Sequence, residues 1–401
     1  MRIITWNVNG LRAGGVGEAL ANLPADFLCL QETKATPQQL DTSFGGLPDY
    51  SAYFSHSRTK MGYSGVVTYC ANAATPVTAE EGLTGLWVSP ACSDAVGHHG
   101  DYQHKMDLAD LQTLDAEGRT VITAHQTHQH GQIALVNVYC PRVDPDRPDR
   151  AAFRRDFLSL LEQRLRSLIK AGFGVIVVGD LNIAHTVLDH CEPENLQSSD
   201  PDGRLWLNSM LDEKGLGLVD LFRLRHPSRK DAFTCWSNKL RARQTNYGTR
   251  IDYILTNKEL ALQCSYCDIM PEVFGSDHCP VVAELDIALI SSEKLPSLAI
   301  PYRPQGNPQP TITQFFQPNN ESVSRRPKQE RTDLKLVDSD KDLTAIVDAN
   351  APVCSGHGEP CVLRTVKKNG PNQGRQFYAC ARPVGRKSDT AASCDYFQWC
   401  R

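Results

Sequence analysis

Apolar residues in the first three-quarters of the chain fall into short runs rich in β-branched side chains. They lie at Ile3–Trp6, Val66–Tyr69, Ile133–Tyr139, Val175–Val178, Ile251–Leu255 and Val281–Leu285, and each predicts a strand. One stretch has a different period. Phe153, Phe157, Leu161, Leu165 and Leu168 recur at helical spacing, predicting a helix from Arg150 to Ala171 that Gly172 ends. Gly174 then leads into Val-Ile-Val-Val, short and apolar enough for a strand buried on both faces. Strands alternating with helices and loops over residues 1–290 describe one α/β domain.

The pattern breaks near residue 291. Prolines at 296, 301, 304, 308, 310, 318 and 327, among many charged and amide side chains, cannot bury enough surface to fold, so residues 291–350 are expected to be a disordered linker. The remaining segment, 351–401, holds five of the 14 cysteines and eight basic side chains against three acidic ones. That local excess runs opposite to the chain's net charge of −4, so any surface for a polyanion has to be local. The N-terminal Met-Arg-Ile-Ile-Thr-Trp runs directly into a strand without a signal-peptide pattern, and no apolar stretch is long enough to span a membrane. A reducing compartment is therefore expected, with the cysteines as core thiols or metal ligands and no membrane partner.

Several strand ends carry polar residues where a plain core would have none: Trp6-Asn7-Val8-Asn9-Gly10, Gln31-Glu32-Thr33, Asn137-Val138-Tyr139, Gly179-Asp180-Leu181-Asn182, Arg250-Ile251-Asp252-Tyr253 and Ser276-Asp277-His278. Any one of these could be a turn. Six together read as a site assembled from loops over a sheet. Carboxylates and amides without thiolates make a hard, oxygen-rich donor set that suits Mg²⁺ or Mn²⁺.

On these motifs, with Ile-Thr-Trp-Asn-Val-Asn-Gly-Leu-Arg, Leu-Gln-Glu-Thr-Lys, Asn-Val-Tyr-Cys-Pro, Gly-Asp-Leu-Asn-Ile-Ala-His, Arg-Ile-Asp-Tyr-Ile-Leu and Ser-Asp-His-Cys-Pro-Val, residues 1–286 resemble the exonuclease III/AP endonuclease group of the endonuclease–exonuclease–phosphatase superfamily. The resemblance implies a four-layered α/β sandwich, two packed and mostly antiparallel sheets with helices outside. It implies that Glu32, supported by Asn7 and Asp277, holds the metal, with Asp180, Asn182 and His278 as further possible ligands. It also implies that Asp180 activates water, Asn182 and Tyr139 stabilise charge on the phosphate or leaving oxygen, and Asp252 aligns His278. Members specialised for abasic sites carry bulky aromatics at the positions matched here by Cys235 and Thr249, so the pocket is expected to be more open.

Two appendages extend the resemblance. Gln309, Ile312, Phe315 and Phe316 fit Gln-x-x-Ile-x-x-Phe-Phe, the pattern of peptides that dock on the replication sliding clamp (PCNA). A segment as small as 351–401 needs a staple. Cys354, His357, Cys380 and Cys394 offer four ligands for tetrahedral Zn²⁺, with Cys361 and Cys400 left over. Val-Lys-Lys, Gly374-Arg375-Gln376-Phe377 and Phe-Tyr-Ala-Cys-Ala-Arg-Pro resemble the GRF zinc finger, although Gln intrudes into the naming triplet. Lys367, Lys368 and Arg375 beside Phe377, Tyr378 and Trp399 place cations next to π faces, a combination suited to single-stranded DNA.

Nuclease domain, clamp peptide and finger in this order resemble a eukaryotic group of the AP endonuclease family, and that resemblance implies a nuclear DNA-repair enzyme, with cytoplasm or mitochondria as further compartments. Its substrates would be duplex DNA with abasic or 3′-blocked ends, giving 3′–5′ exonuclease, 3′-phosphodiesterase and AP-site endonuclease activity. The alternative is a catalytically weak scaffold that binds clamp and single-stranded DNA for damage signalling. Two signals are discounted. Cys264 and Cys267 are expected to be buried thiols, and the histidines at 98, 99, 104, 125, 128 and 130 to be solvated loop residues.

Overall fold

A computed structural model describes residues 1–39, 47–87, 95–99, 106–143, 147–196, 200–301, 351–367 and 370–400. The clamp-peptide residues Gln309, Ile312, Phe315 and Phe316, and also Lys368 and His104, lie outside the described residues.

Two seven-stranded sheets form the larger unit. The first runs β13 (Cys264–Ile269), β14 (Val281–Leu285), β1 (Arg2–Asn7), β2 (Phe27–Gln31), β4 (Val66–Ala71), β3 (Tyr50–Ser55), β16 (Ala299–Pro301). The second runs β15 (Leu289–Ile290), β6 (Thr120–Thr127), β7 (Gln132–Tyr139), β8 (Gly174–Asp180), β12 (Asp252–Asn257), β9 (Leu218–Asp220), with β5 (Thr78–Glu81) also paired to β6. Each sheet has one parallel pair, β1 with β2 and β7 with β8, and is otherwise antiparallel.

The layering follows from alternation along each strand. On β1, Ile3 belongs to the cluster between the sheets, whereas Ile4 and Trp6 face outward onto helix α1 (Val16–Ala21). On β7, Ile133 and Leu135 point inward while Ala134, Val136 and Val138 pack on the outer helices. Beyond α2 (Leu108–Asp115) lies the long helix α3 (Pro148–Lys170), which buries Phe157, Leu161, Leu165 and Leu168 against the second sheet. Each such side chain contributes roughly 1.5–3 kcal/mol on burial. Proline at the first helical position opens α3, and Gly172, at φ 89°, lies just past its end. Helix α4 (Pro201–Leu211) completes that outer layer with Leu207 and Met210. These two sheets with helices on their outer faces form the four-layered α/β sandwich that the resemblance implies.

Two expectations need correction. The α/β unit continues past residue 290, because Ala299–Pro301 pairs with β3 as an edge strand; proline is tolerated there because an edge strand has a face without ladder bonds. His125 is not a solvated loop residue. It lies within β6, is 2% exposed and packs on Phe27, and burial holds its imidazole far below its usual range, at about 3. Cys264 and Cys267 are buried free thiols on β13.

The smaller unit carries a three-stranded antiparallel sheet, β17 (Val362–Thr365), β18 (Gln376–Ala379) and β19 (Phe397–Trp399).

Candidate active site and zinc site

The polar strand ends meet at one edge of the sandwich. Asn7 ends β1, Tyr139 ends β7 and Asp180 ends β8, while Asp252 begins β12 and Glu32 follows β2. Asn7 is fully buried, and its Nδ2 donates to Glu32 Oε1 at 3.0 Å and to Asp180 Oδ2 at 2.9 Å. One amide therefore ties the first sheet's carboxylate to the second's.

Around this bridge the backbone adopts conformations that side chains disfavour. Asn9, Glu32, Lys34 and Asn182 all have φ near +50°, which concentrates strain at the site. Gly179, φ 133°, precedes Asp180 because a Cβ there would lie 1.9 Å from the Val138 carbonyl oxygen on the neighbouring parallel strand.

Asp180 is buried. Loss of solvation, then the facing Asp252, push its carboxyl up to about 7, against the pull of His278, Asn7 and the Asn182 amide. Asn182 donates its backbone N–H to Asp180 Oδ1 at 2.8 Å and its Nδ2 to the Cys140 carbonyl at 2.9 Å. His278 places Nδ1 2.8 Å from Asp252 Oδ2 and Nε2 4.0 Å from Asp180 Oδ2. Burial disfavours its imidazolium, yet Asp252 and Cys235 raise His278 well above its usual range. At Glu32 burial works upward, but the Asn7 hydrogen bond, the Lys34 ammonium at 3.1 Å and the Tyr139 hydroxyl prevail and lower it. Tyr139 is raised by burial and by the negative charge of Glu32. Asp277 is tied in through Ser276, whose hydroxyl lies 2.7 Å from the Asn7 carbonyl and 3.3 Å from Asp277 Oδ1.

Asp180, Asp252 and His278 bring ligand atoms within 4.8 Å of one another. Asp252 Oδ1 is buried without a hydrogen-bond partner among the described residues. The carboxylates of Glu32 and Asp180, held 3.0 and 2.9 Å from one Asn7 amide, are hard oxygen donors that fit a divalent cation.

Sequence reasoning missed two contributors, Thr234 and Arg119, and the contact that the pocket residue Cys235 makes. Thr234 is fully buried, its hydroxyl donates to Asp252 Oδ2 at 2.6 Å, and it carried no signal because it ends no apolar run. Arg119 lays its guanidinium over the Tyr139 ring at 4.6 Å and donates to the Tyr139 carbonyl at 3.0 Å. Cys235, half-buried, hydrogen-bonds His278.

In the smaller unit, Cys354, His357, Cys380 and Cys394 converge, their ligand atoms all within 4.8 Å. His357 Nδ1 lies 3.6 Å from Cys354 Sγ and 3.5 Å from Cys380 Sγ. Burial raises the Cys354 thiol, but N–H groups at Glu359 and His357, the imidazole and Cys394 together lower it to about 6. Four soft or borderline donors so gathered fit Zn²⁺. Cys361 is buried beside them without joining the set of four. On β18 and β19 Phe377, Phe397 and Trp399 cluster, with ring centroids 4.9–5.9 Å apart, and Arg375 lies 4.0 Å above Trp399. Tyr378 packs instead against the cysteines, because neighbouring strand residues face opposite ways. Arg364, register partner of Phe377, and Phe397 are the members that sequence reading overlooked, while Lys367 is exposed.

Comparison with known proteins agrees with this geometry. Residues 4–278 match the Endonuclease/Exonuclease/phosphatase family and residues 352–401 the GRF zinc finger. The whole chain is 36% identical to DNA-(apurinic or apyrimidinic site) endonuclease 2 of Xenopus laevis, covering 98% of that protein, and 33% identical to the Homo sapiens protein of the same name, covering 99%. The chain belongs to the AP endonuclease 2 group of this family. Its fold matches the crystal structure of the Xenopus laevis APE2 catalytic domain with a TM-score of 0.69 at 45% identity, over 75% of this chain and 96% of that one. It also matches the AP endonuclease LMAP of Leishmania major, TM-score 0.57 at 28% identity, over 70% and 86% of the two chains. The GRF finger with its Cys/His cluster indicates Zn²⁺, and membership of this nuclease family implies a divalent cation.

Proposed function

We propose that the chain is a DNA-repair phosphodiesterase that hydrolyses the backbone at abasic sites and trims or cleans 3′ ends, acting in the nucleus. The observation that carries this reading is the bridge from Glu32 through Asn7 to Asp180, with His278 4.0 Å from the same Asp180 oxygen.

Asp180, with its carboxyl near neutrality and 2.8 Å from the Asn182 N–H, is suited to orient water and accept its proton. Asn182 and His278 donate hydrogen bonds to phosphate oxygens as charge grows on them. Asp252, itself steadied by Thr234, holds the imidazole with Nε2 facing Asp180. The Tyr139 hydroxyl, beside Glu32, serves the charge on the phosphate or the departing 3′ oxygen. Mg²⁺ or Mn²⁺ held by Glu32, Asn7 and Asp277, with Asp180, Asn182 and His278 as further ligands, would neutralise charge on the scissile phosphate.

The finger's Arg364, Lys367, Lys368, Arg375 and Phe377 would take single-stranded DNA by stacking and charge. Gln309, Ile312, Phe315 and Phe316 would dock on the sliding clamp and hold the enzyme near its substrate. Purified full-length protein should cleave abasic, 3′-blocked and 3′-recessed duplexes only with a divalent cation, and should leave phosphoinositide and poly(A) substrates intact. Clamp and single-strand binding without any divalent-dependent cleavage would instead support the scaffold reading.

A further inference from the structure

Directly beneath the catalytic cluster lies a second polar layer that the proposed chemistry does not use. Gln31, the last residue of β2, sends its amide across the space between the sheets. Its Nε2 lies 2.7 Å from Asn137 Oδ1 on β7, 2.9 Å from Thr5 Oγ1 and 3.0 Å from the Cys29 carbonyl. Asn137 Nδ2 returns across the same space, 2.9 Å from the Val67 carbonyl and 3.2 Å from Thr68 Oγ1. Gln31, Asn137, Thr5 and Thr68 are all fully buried.

The strand period stacks this layer in register with the site. Thr5 lies two residues before Asn7 on β1, and Asn137 two residues before Tyr139 on β7, so each shares a strand face with the residue above it. Two residues earlier on their own strands stand Ile3, Cys29 and Leu135, all in the core between the sheets, while Gln31 is the register partner of Asn7 and reaches down to Thr5 and the Cys29 carbonyl. A third layer of hydrocarbon would be the cheaper way to fill this space. Buried amides at best break even against well-packed apolar groups, and Gln31 Oε1 has no hydrogen-bond partner among the described residues. The amides are therefore poorly explained by stability alone. What they supply is direction, which apolar packing lacks.

Direction matters at this place. Glu32 follows Gln31 immediately and turns into the site at φ 49°. The chain beyond it is secured by Thr33 N–H to the Gly65 carbonyl at 3.0 Å and Lys34 N–H to the Ser64 carbonyl at 2.9 Å. The Gln31 side chain is the anchor on the other side of that turn. Glu32 and Asn7 come from the first sheet, Tyr139 and Asp180 from the second.

We propose that Gln31 and Asn137 are a positioning pair, an amide strut between the sheets that sets how the Glu32–Asn7 half of the site meets the Tyr139–Asp180 half. This rests on the reading of the cluster as a nuclease centre.

The test is the double variant Gln31→Leu/Asn137→Leu in the full-length protein, with both amides replaced by side chains of similar size. Thermal unfolding, Mn²⁺ affinity by electron paramagnetic resonance, and kcat and KM on abasic and 3′-recessed duplexes are compared with the parent. The expected result is a Tm close to the parent's, KM within about twofold, kcat lower by on the order of tenfold or more, and Mn²⁺ bound several-fold more weakly. The exchanged pair Gln31→Asn/Asn137→Gln, which keeps both amides and their combined reach, should recover part of kcat. Parent-like kcat and Mn²⁺ affinity in the Leu pair would overturn the proposal. So would a loss of kcat no larger than the loss of folded protein at the assay temperature. Should the Leu pair not fold, Asn137→Ser, too short to reach Gln31, takes its place; a lowered Tm with unchanged kcat then overturns the strut. A parent without divalent-dependent cleavage would sink the nuclease reading instead, and equal Mn²⁺ affinity in parent and variant would then still overturn the strut by itself.

Discussion

Asp180 and Asp252 are register partners across the antiparallel pair of β8 and β12, so two buried carboxylates face each other at the rim of one sheet. Like charges directly opposite destabilise a strand pair. Here His278 takes the Asp252 charge at 2.8 Å, and Asp180 is left with its proton affinity raised to about 7. Asp180→Asn keeps the shape and removes the base and the charge. It should lower duplex cleavage by at least about a thousandfold while the fold and DNA affinity persist. Turnover within a few-fold of the parent would move the base elsewhere.

A second carboxylate is shifted the other way. Burial works to raise Asp189, but Arg250, its Nε 2.7 Å away, and Arg223 outweigh it and hold the carboxyl at about 2. Because the folded value lies below the unfolded one, the stabilisation is fully present above the ordinary aspartate range and is lost as pH falls through about 2. It amounts to roughly 2 kcal/mol. Asp189→Asn should cost about 2 kcal/mol at neutral pH, since Arg250 in the core loses one of its two carboxylate partners and keeps Asp220, 2.7 Å from its Nη2. The variant's denaturation midpoint should also fall less steeply between about pH 4 and pH 2 than the parent's. Parallel pH profiles would refute the linkage.

Zinc and folding should be one equilibrium in the smaller unit. Cys380→Ser removes one of the four convergent ligands. It is expected to release Zn²⁺, measured by a chromogenic chelator, and to unfold that unit alone. Single-strand affinity should fall with it, and long resections should suffer more than single cuts. Unchanged single-strand binding after zinc loss would contradict the role given to the finger.

Phe315→Ala with Phe316→Ala should abolish sliding-clamp binding in a pull-down and leave clamp-free cleavage as it is. Clamp stimulation rests on effective concentration and should vanish with it. Equal stimulation of parent and variant would speak against the docking peptide.

Cys235 and Thr249 are register partners on the short strands β10 (Cys235–Trp236) and β11 (Gly248–Thr249), and Cys235 also bridges to His278. The two small side chains therefore flank one another beside the imidazole. Thr249→Trp should raise abasic-site cleavage relative to 3′–5′ exonuclease activity by several-fold, each aromatic contact to the bare sugar contributing on the order of 1 kcal/mol. An unchanged ratio on matched substrates would exclude this pocket as the discriminator.

What the chain's linear pattern determined was local. The short β-branched runs and the one stretch of helical period placed β1, β7, β8 and α3 to within about two residues at each end, because a buried strand and a helix buried on one side leave few other arrangements of apolar side chains. Polar residues flanking the apolar runs marked Asn7, Asp180, Asp252 and His278, because a polar group beside such a run has no packing purpose. Four ligand-type residues in a segment too short for its own core marked the zinc site similarly. Tertiary structure decided everything that depends on what lies opposite. Thr234 carried no signal, His125 looked solvated and Tyr378 looked like part of an aromatic platform, until strand pairing set one under Asp252, one in the core and one against the cysteines. Ala299–Pro301 reads as linker because three residues carry no period; only the free edge of β3 makes them a strand. The Gln31–Asn137 contact spans 106 residues and two sheets. Hydropathy records which side chains avoid water, and the partner each one meets is set only when the two sheets close.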